Sequence, residues 1–100
     1  MEGSASISTD VLARYAADAA GDVPGVRGLS ESHLPGRRGV RVTREDGRIA
    51  FELRLRLEAG ASVPEVGAEV QRRVRDYLLR MADVQPEAVN VVVDEIGLVP

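Results

Sequence analysis

Arg48-Ile49-Ala50-Phe51-Glu52-Leu53-Arg54-Leu55-Arg56-Leu57 decides the fold. Ile49, Phe51, Leu53, Leu55 and Leu57 stand at odd positions, whereas Arg48, Glu52, Arg54, Arg56 and the following Glu58 stand at even ones. Successive side chains of a strand point to opposite faces, so this stretch has an apolar face and a charged face. A strand covered on both sides in a parallel sheet is apolar throughout; clean alternation predicts a mainly antiparallel sheet covered on one side only.

Immediately upstream, Asp46-Gly47 separates this strand from Val40-Arg41-Val42, and Asp-Gly is favoured where both turn residues take positive φ. A two-residue turn sets Glu45 opposite Arg48, Val42 opposite Phe51, Val40 opposite Leu53 and Arg41 opposite Glu52. Apolar then meets apolar and charge meets opposite charge, and a slip of one residue destroys both matches.

Two helices supply the cover. Ser8-Thr9-Asp10 offers an N-cap and a first-turn acid before Val11, Leu12, Tyr15, Ala16, Ala19 and Ala20, whose spacing of three and four predicts a helix over 9–21. Pro24, with Gly21, Gly25 and Gly28, closes it, and a short strand is expected over 26–30. Ser62-Val63-Pro64-Glu65 matches a capping box with Pro in the first turn. Val63, Val66, Val70, Val74, Tyr77, Leu78 and Met81 then form one stripe of a helix that reaches Ala82. A valine-rich last strand is expected over 89–96, and a short leading strand over 5–7 is an option. In the last strand the alternation breaks down: with Val89, Val91 and Val93 inward, Val92 and Ile96 fall beside Asn90 and Asp94. Either both faces are covered there, or Val92, Ile96 and Leu98 contact another chain. The expected architecture is α+β, a two-layer sandwich with both amphipathic helices on one face of a small, mainly antiparallel sheet.

One hundred residues are expected to form one domain, spanning 1–100. No apolar run exceeds three residues, against the roughly 20 that a membrane span requires, so neither a span nor a secretory signal is expected. Without Cys and with His33 as the sole histidine, disulfides, thiolate nucleophiles and paired-histidine metal sites are excluded. Every basic side chain is Arg. Residues 27–56 hold eight Arg against four acids, whereas residues 1–26 hold one against four and residues 57–100 four against eight. A basic middle between acidic flanks suits a dipolar surface that associates head to tail with copies of itself.

The surface candidates follow from that charge pattern. Arg41, Arg54 and Arg56 share the polar sheet face, and with Val92, Ile96 and Leu98 they form the expected interaction surface. Gly36-Arg37-Arg38-Gly39 matches a Gly-x-x-Gly nucleotide clamp. It leads into a strand rather than a helix, however, and Tyr15, Tyr77 and Phe51 fall on core faces instead of forming a stacking platform. A small RNA-binding module using that loop and the basic hairpin is therefore the alternative reading, with nucleic acid the less favoured partner. Carboxylate neighbours such as Glu45-Asp46 and Asp94-Glu95 point to opposite faces, and no catalytic, cofactor or metal residues are assigned.

Taken together, the segments resemble the alkaline shock protein family, envelope stress response proteins of Gram-positive bacteria. The likeness is carried by Ile7-Ser8 and Val11, by Val23-Pro24-Gly25-Val26, and by Gly39-Val40-Arg41-Val42 leading through Gly47 into the long strand. It continues through Gly60, Val63-Pro64-Glu65-Val66, Val70-Gln71, Val74 and Val89-Asn90-Val91-Val92-Val93. Ala59 and Ala82-Asp83-Val84 depart from the family pattern, which usually has an aromatic residue and a Thr-Gly turn there. The resemblance implies a non-enzymatic cytoplasmic protein without cofactor, gathered at the inner membrane face through a small membrane-anchored partner and self-associating there in support of the envelope.

The second helix tests the fold. Burying each Val or Leu contributes roughly 1.5 to 3 kcal/mol, so losing the seven-residue stripe exceeds the usual net stability of about 5 to 15 kcal/mol. A fragment truncated before Ser62 is expected to show no cooperative thermal transition by circular dichroism.

Overall fold

In a computed structural model the chain is described over residues 6–30 and 39–97. Six elements follow in order: α1 (Thr9–Gly21), β1 (Val26–Leu29), β2 (Val40–Glu45), β3 (Arg48–Leu57), α2 (Val63–Ala82) and β4 (Ala88–Ile96). Ser8 caps α1 by accepting from the Val11 amide at 3.2 Å, and Ser62 caps α2 by accepting from Glu65 at 3.4 Å. Past the last turn of α2, Asp83 takes the left-handed conformation (φ 53°). Its N–H returns to the Leu79 carbonyl, the bond of an αL ending in which an aspartate occupies the usual glycine position, and the Val84 N–H reaches the Leu78 carbonyl.

Every strand pairs with β3. The hairpin register is the expected one, with Val40 opposite Leu53, Arg41 opposite Glu52, Val42 opposite Phe51 and Glu45 opposite Arg48. Asp46 and Gly47 both take positive φ (52° and 76°), as a type I′ turn requires. β4 runs parallel to β3 from Ala50/Ala88 to Leu57/Ile96, α2 supplying the crossover that parallel pairing needs. β1 is antiparallel to β3 at Leu55–Leu57. Because β4 occupies one side of β3, β1 and β2 lie end to end along the other. They meet at Arg54, whose carbonyl accepts from the Ser30 N–H (2.8 Å) and whose N–H donates to the Gly39 carbonyl (2.7 Å).

Both helices pack on one face of this sheet. Phe51, Leu53, Leu55 and Leu57 are buried against Leu12, Ala16 and Ala20 of α1 and Val66, Val70, Val74 and Leu78 of α2. Tyr15 and Tyr77 meet edge to face between the helices, with ring centroids 5.7 Å apart. Side chains of α2 also bind the start of β4: Gln71 donates to the Val89 carbonyl and Arg75 to that of Pro86, each at 2.9 Å.

Three details differ from the sequence expectation. The α2 stripe narrows at its ends, where Val63 is 38% and Met81 49% exposed, because the chain leaves the opposing layer there. Ser6 and Ile7 form no strand, and Ala5 lies outside the described residues. Most consequential, Val92 and Ile96 do not share a face: Val92 pairs with Arg54 and Ile96 with Leu57, because the register shifts at Asp94. One extra residue in β4 reverses the parity of everything after it.

Gly39 has a structural duty. At φ 73° an added Cβ would lie 2.6 Å from the Ser30 carbonyl oxygen and 3.1 Å from that of Arg54, whereas at Gly47 (φ 76°) it would meet nothing within 4 Å. Gly47→Ala is expected to cost about 1 to 2 kcal/mol, the scale of left-handed strain, and Gly39→Ala roughly 3 kcal/mol or more, since backbone must also move. Urea unfolding of the two variants checks the order.

Candidate functional site

The register places the side chains of the uncovered sheet face in rows. Thr43, Ala50 and Ala88 form a small, uncharged row near the hairpin. Arg41, Glu52 and Asn90 come next, then Arg54 beside Val92, then Gly28, Arg56 and Glu95. No helix covers these side chains, because β3 turns its apolar positions the other way.

Ion pairs run across strands. Arg54 donates to Asp94 at 2.9 Å and lies 3.6 Å from Glu52. Arg48 reaches Glu87 at 3.4 Å, and Arg27 lies 3.9 Å from Glu95. All of these groups are partly exposed, so each pair contributes on the order of 0 to 1 kcal/mol, and their main effect is to fix side-chain positions. Arg41 has no acidic partner within 4 Å among the described residues. Arg56 lies across β1, where Gly28 makes room: a Cβ there would sit 3.2 Å from Arg56 Nη2. Its Nε and the Oγ of Ser30 are shielded and have no hydrogen-bond partner among the described residues.

Thus Arg41, Arg54 and Arg56 occupy one face together, with Val92 among them. Ile96 is 48% exposed at the sheet end with the opposite parity. Leu98, Gly36, Arg37 and Arg38 lie outside the described residues, and Gly39 belongs to the sheet junction. Alternation set Asp94 on this side with Asn90 and Val92, but sequence reasoning expected Glu95 on the opposite face; the bulge brings it beside Arg56. Broken alternation at Val92 was the one signal, but parity alone does not say where a bulge falls. Phe51 is buried, and Tyr15 and Tyr77 are half-buried between the helices, so no aromatic side chain of the described residues stands on the open face.

At the two ends of β4 strand addition is disfavoured. Gln71 occupies the Val89 carbonyl and Arg75 that of Pro86 just before the strand, while the bulge and the acids Asp94 and Glu95 interrupt its end, the usual devices against edge-to-edge addition.

On the opposite side, the helix layer has its own charge network. Glu69 holds Arg72 at 2.8 Å and Arg73 at 3.0 Å, and Arg72 reaches Asp76 at 3.1 Å. The hydrogen bonds from Arg72 and then Arg73 lower the Glu69 carboxyl from its ordinary value to about 2. Arg80 lies over the Tyr77 ring at 5.9 Å. Between α1 and α2 an open groove of about 630 Å³ is lined by Asp18, Asp22, Arg72, Arg73, Tyr77 and Leu79, among others. Among the described residues no three His, Cys, Asp or Glu side chains gather as metal ligands, and no helix is long and apolar enough to cross a membrane. The chemistry offered is charge-paired docking on two opposite faces.

Comparison with known proteins adds to this geometry. Residues 1–98 match the model of the alkaline shock protein 23 family, described as having cell envelope-related function. No curated protein matches the chain. Among solved structures, a histidine-to-alanine variant of MamM-CTD is similar with a TM-score of 0.59 at 18% identity, over 88% of this chain and 98% of that one. A manganese form of MamM-CTD is similar at 0.58 and 18%, over 88% and 99%. A copper form is similar at 0.59 and 17%, over 88% and 98%. At these identities the likeness is one of fold.

The Glu69 network has a pH signature. A carboxyl whose folded pKa is depressed contributes stability that is fully present above its unfolded value, 4.5, and is lost as pH falls toward about 2. Glu69→Gln is therefore expected to lower the melting temperature slightly at pH 7 and to leave it unchanged at about pH 2. Thermal melts of both proteins across that range check this, and the difference should shrink with added salt.

Proposed function

Since the chain belongs to the alkaline shock protein 23 family, whose function is cell envelope-related, we propose that it acts without catalysis, as a self-associating protein at the inner face of the cell membrane. A small membrane-anchored partner holds it there, and protein–protein contacts support envelope homeostasis. The observation that carries this reading is the open sheet face, which no helix covers and where exposed Arg41 lacks an acidic partner within 4 Å among the described residues. Ion pairs within β3 and from β3 to the segment 87–94 hold the rest of that face in place, so a second surface meets groups already positioned, which lowers the entropic cost of association. The bulge and the acids at the end of β4 disfavour strand addition there.

Charged contacts of this kind respond to ionic strength. Between about 0.01 M and about 1 M salt the screening length falls from roughly 30 Å to roughly 3 Å. Sedimentation velocity is expected to show mass rising with protein concentration at low salt and falling back at high salt. A chain that stays monomeric at every concentration and salt overturns the self-association reading.

A further inference from the structure

Each face of the sandwich carries charge without an ion-pair partner among the described residues, Asp18 and Asp22 on the helix layer beyond Arg14, and Arg41 on the open sheet face. Asp18 lies in the last turn of α1 and Asp22 directly follows it, where the negative end of the helix dipole disfavours carboxylates and no basic residue of the turn offsets them. The arginines that line the same groove are otherwise engaged. Arg72 and Arg73 are held by Glu69 and Asp76, and Arg80 lies over Tyr77. Neither Asp18 nor Asp22 has an ion-pair partner within 4 Å among the described residues. On the opposite side of the molecule, exposed Arg41 and half-buried Arg56 have no acidic partner within 4 Å among the described residues.

We infer that the chain assembles head to tail. The open sheet face of one copy, through Arg41 and Arg56, docks on the helix layer of the next, at Asp18 and Asp22. This rests on the self-association proposed above and adds its polarity. The occupant of each face is a second copy because the missing charges of one face are those the other displays. The two surfaces lie on opposite sides of a two-layer molecule, so the contact is heterologous. It leaves a free sheet face at one end and a free helix face at the other, and therefore propagates.

Charge reversal of each face separates this arrangement from a symmetric one. Arg41→Glu with Arg56→Glu, and separately Asp18→Arg with Asp22→Arg, should each weaken assembly about tenfold or more in sedimentation, the effect of turning two attractive contacts repulsive. Combining all four substitutions in one chain should restore assembly, as should mixing the two double variants in equal amounts. The α1 variant also carries a control within itself. Placing arginine at the helix C-terminus should raise the melting temperature while assembly is lost, a divergence that damage to the fold does not produce. If Asp18→Arg with Asp22→Arg assembles like the parent chain, or if the fourfold variant is not restored, the head-to-tail arrangement is wrong while self-association stands. A parent chain that never assembles overturns both.

Discussion

The structure depends on β3 being saturated along both of its edges while only one of its faces is covered. Its backbone pairs with β4 on one side and with β1 and β2 in succession on the other, so a single segment orders every other strand. Its odd side chains, fully buried from Phe51 to Leu57, are the floor on which both helices sit. Covering the second face as well would require apolar groups where Arg48, Glu52, Arg54 and Arg56 stand, at a desolvation cost that unpaired guanidinium and carboxylate groups do not recover. The open face is therefore the other side of the same alternation that builds the core.

The fold was legible where local rules and long-range pairing agree. Asp46-Gly47 demands a tight primed turn, and that turn admits a register in which Val42 meets Phe51 and Arg41 meets Glu52. Both serine caps were readable for the same reason, as hydroxyls placed before an apolar period. Other features were opaque. The parallel pairing of β4 follows from α2 crossing the sheet, a fact of chain path that no residue type announces. The bulge at Asp94 left only a broken alternation, which reads equally as two-sided burial or as a contact for another chain and does not announce a switch of parity. Asp83 in a left-handed conformation was hidden because aspartate there carries no glycine signal, although the two hydrogen bonds at the helix end require that geometry.

The candidate site was legible in part. Alternation alone placed Arg41, Arg54 and Arg56 on one face, but which arginine is engaged and which is available depends on neighbours brought in by β4. Asp94 claims Arg54, and Glu95 approaches Arg27 over the row that holds Arg56. Asp94 reaches that face by ordinary alternation and Glu95 through the bulge, so the irregularity that obscured the last strand also distributes the surface charge. α1 offers a parallel case. Asp18 and Asp22 read as ordinary solvated residues until the helix end, its missing basic residue and the engagement of nearby arginines are considered together.

The junction at Arg54 sets the terms on which this molecule is able to diversify. Seen from β3, the segments before Ser30 and after Gly39 make one interrupted strand, with both stubs clasped by consecutive backbone groups of a single residue. The interruption costs the ladder nothing, and the closure entropy of a longer excursion grows only slowly with its length. With both backbone groups of Arg54 satisfied at the stubs, the ladder along β3 does not depend on how the stubs are joined. Glycine at position 39 is the hinge-pin that this freedom turns on.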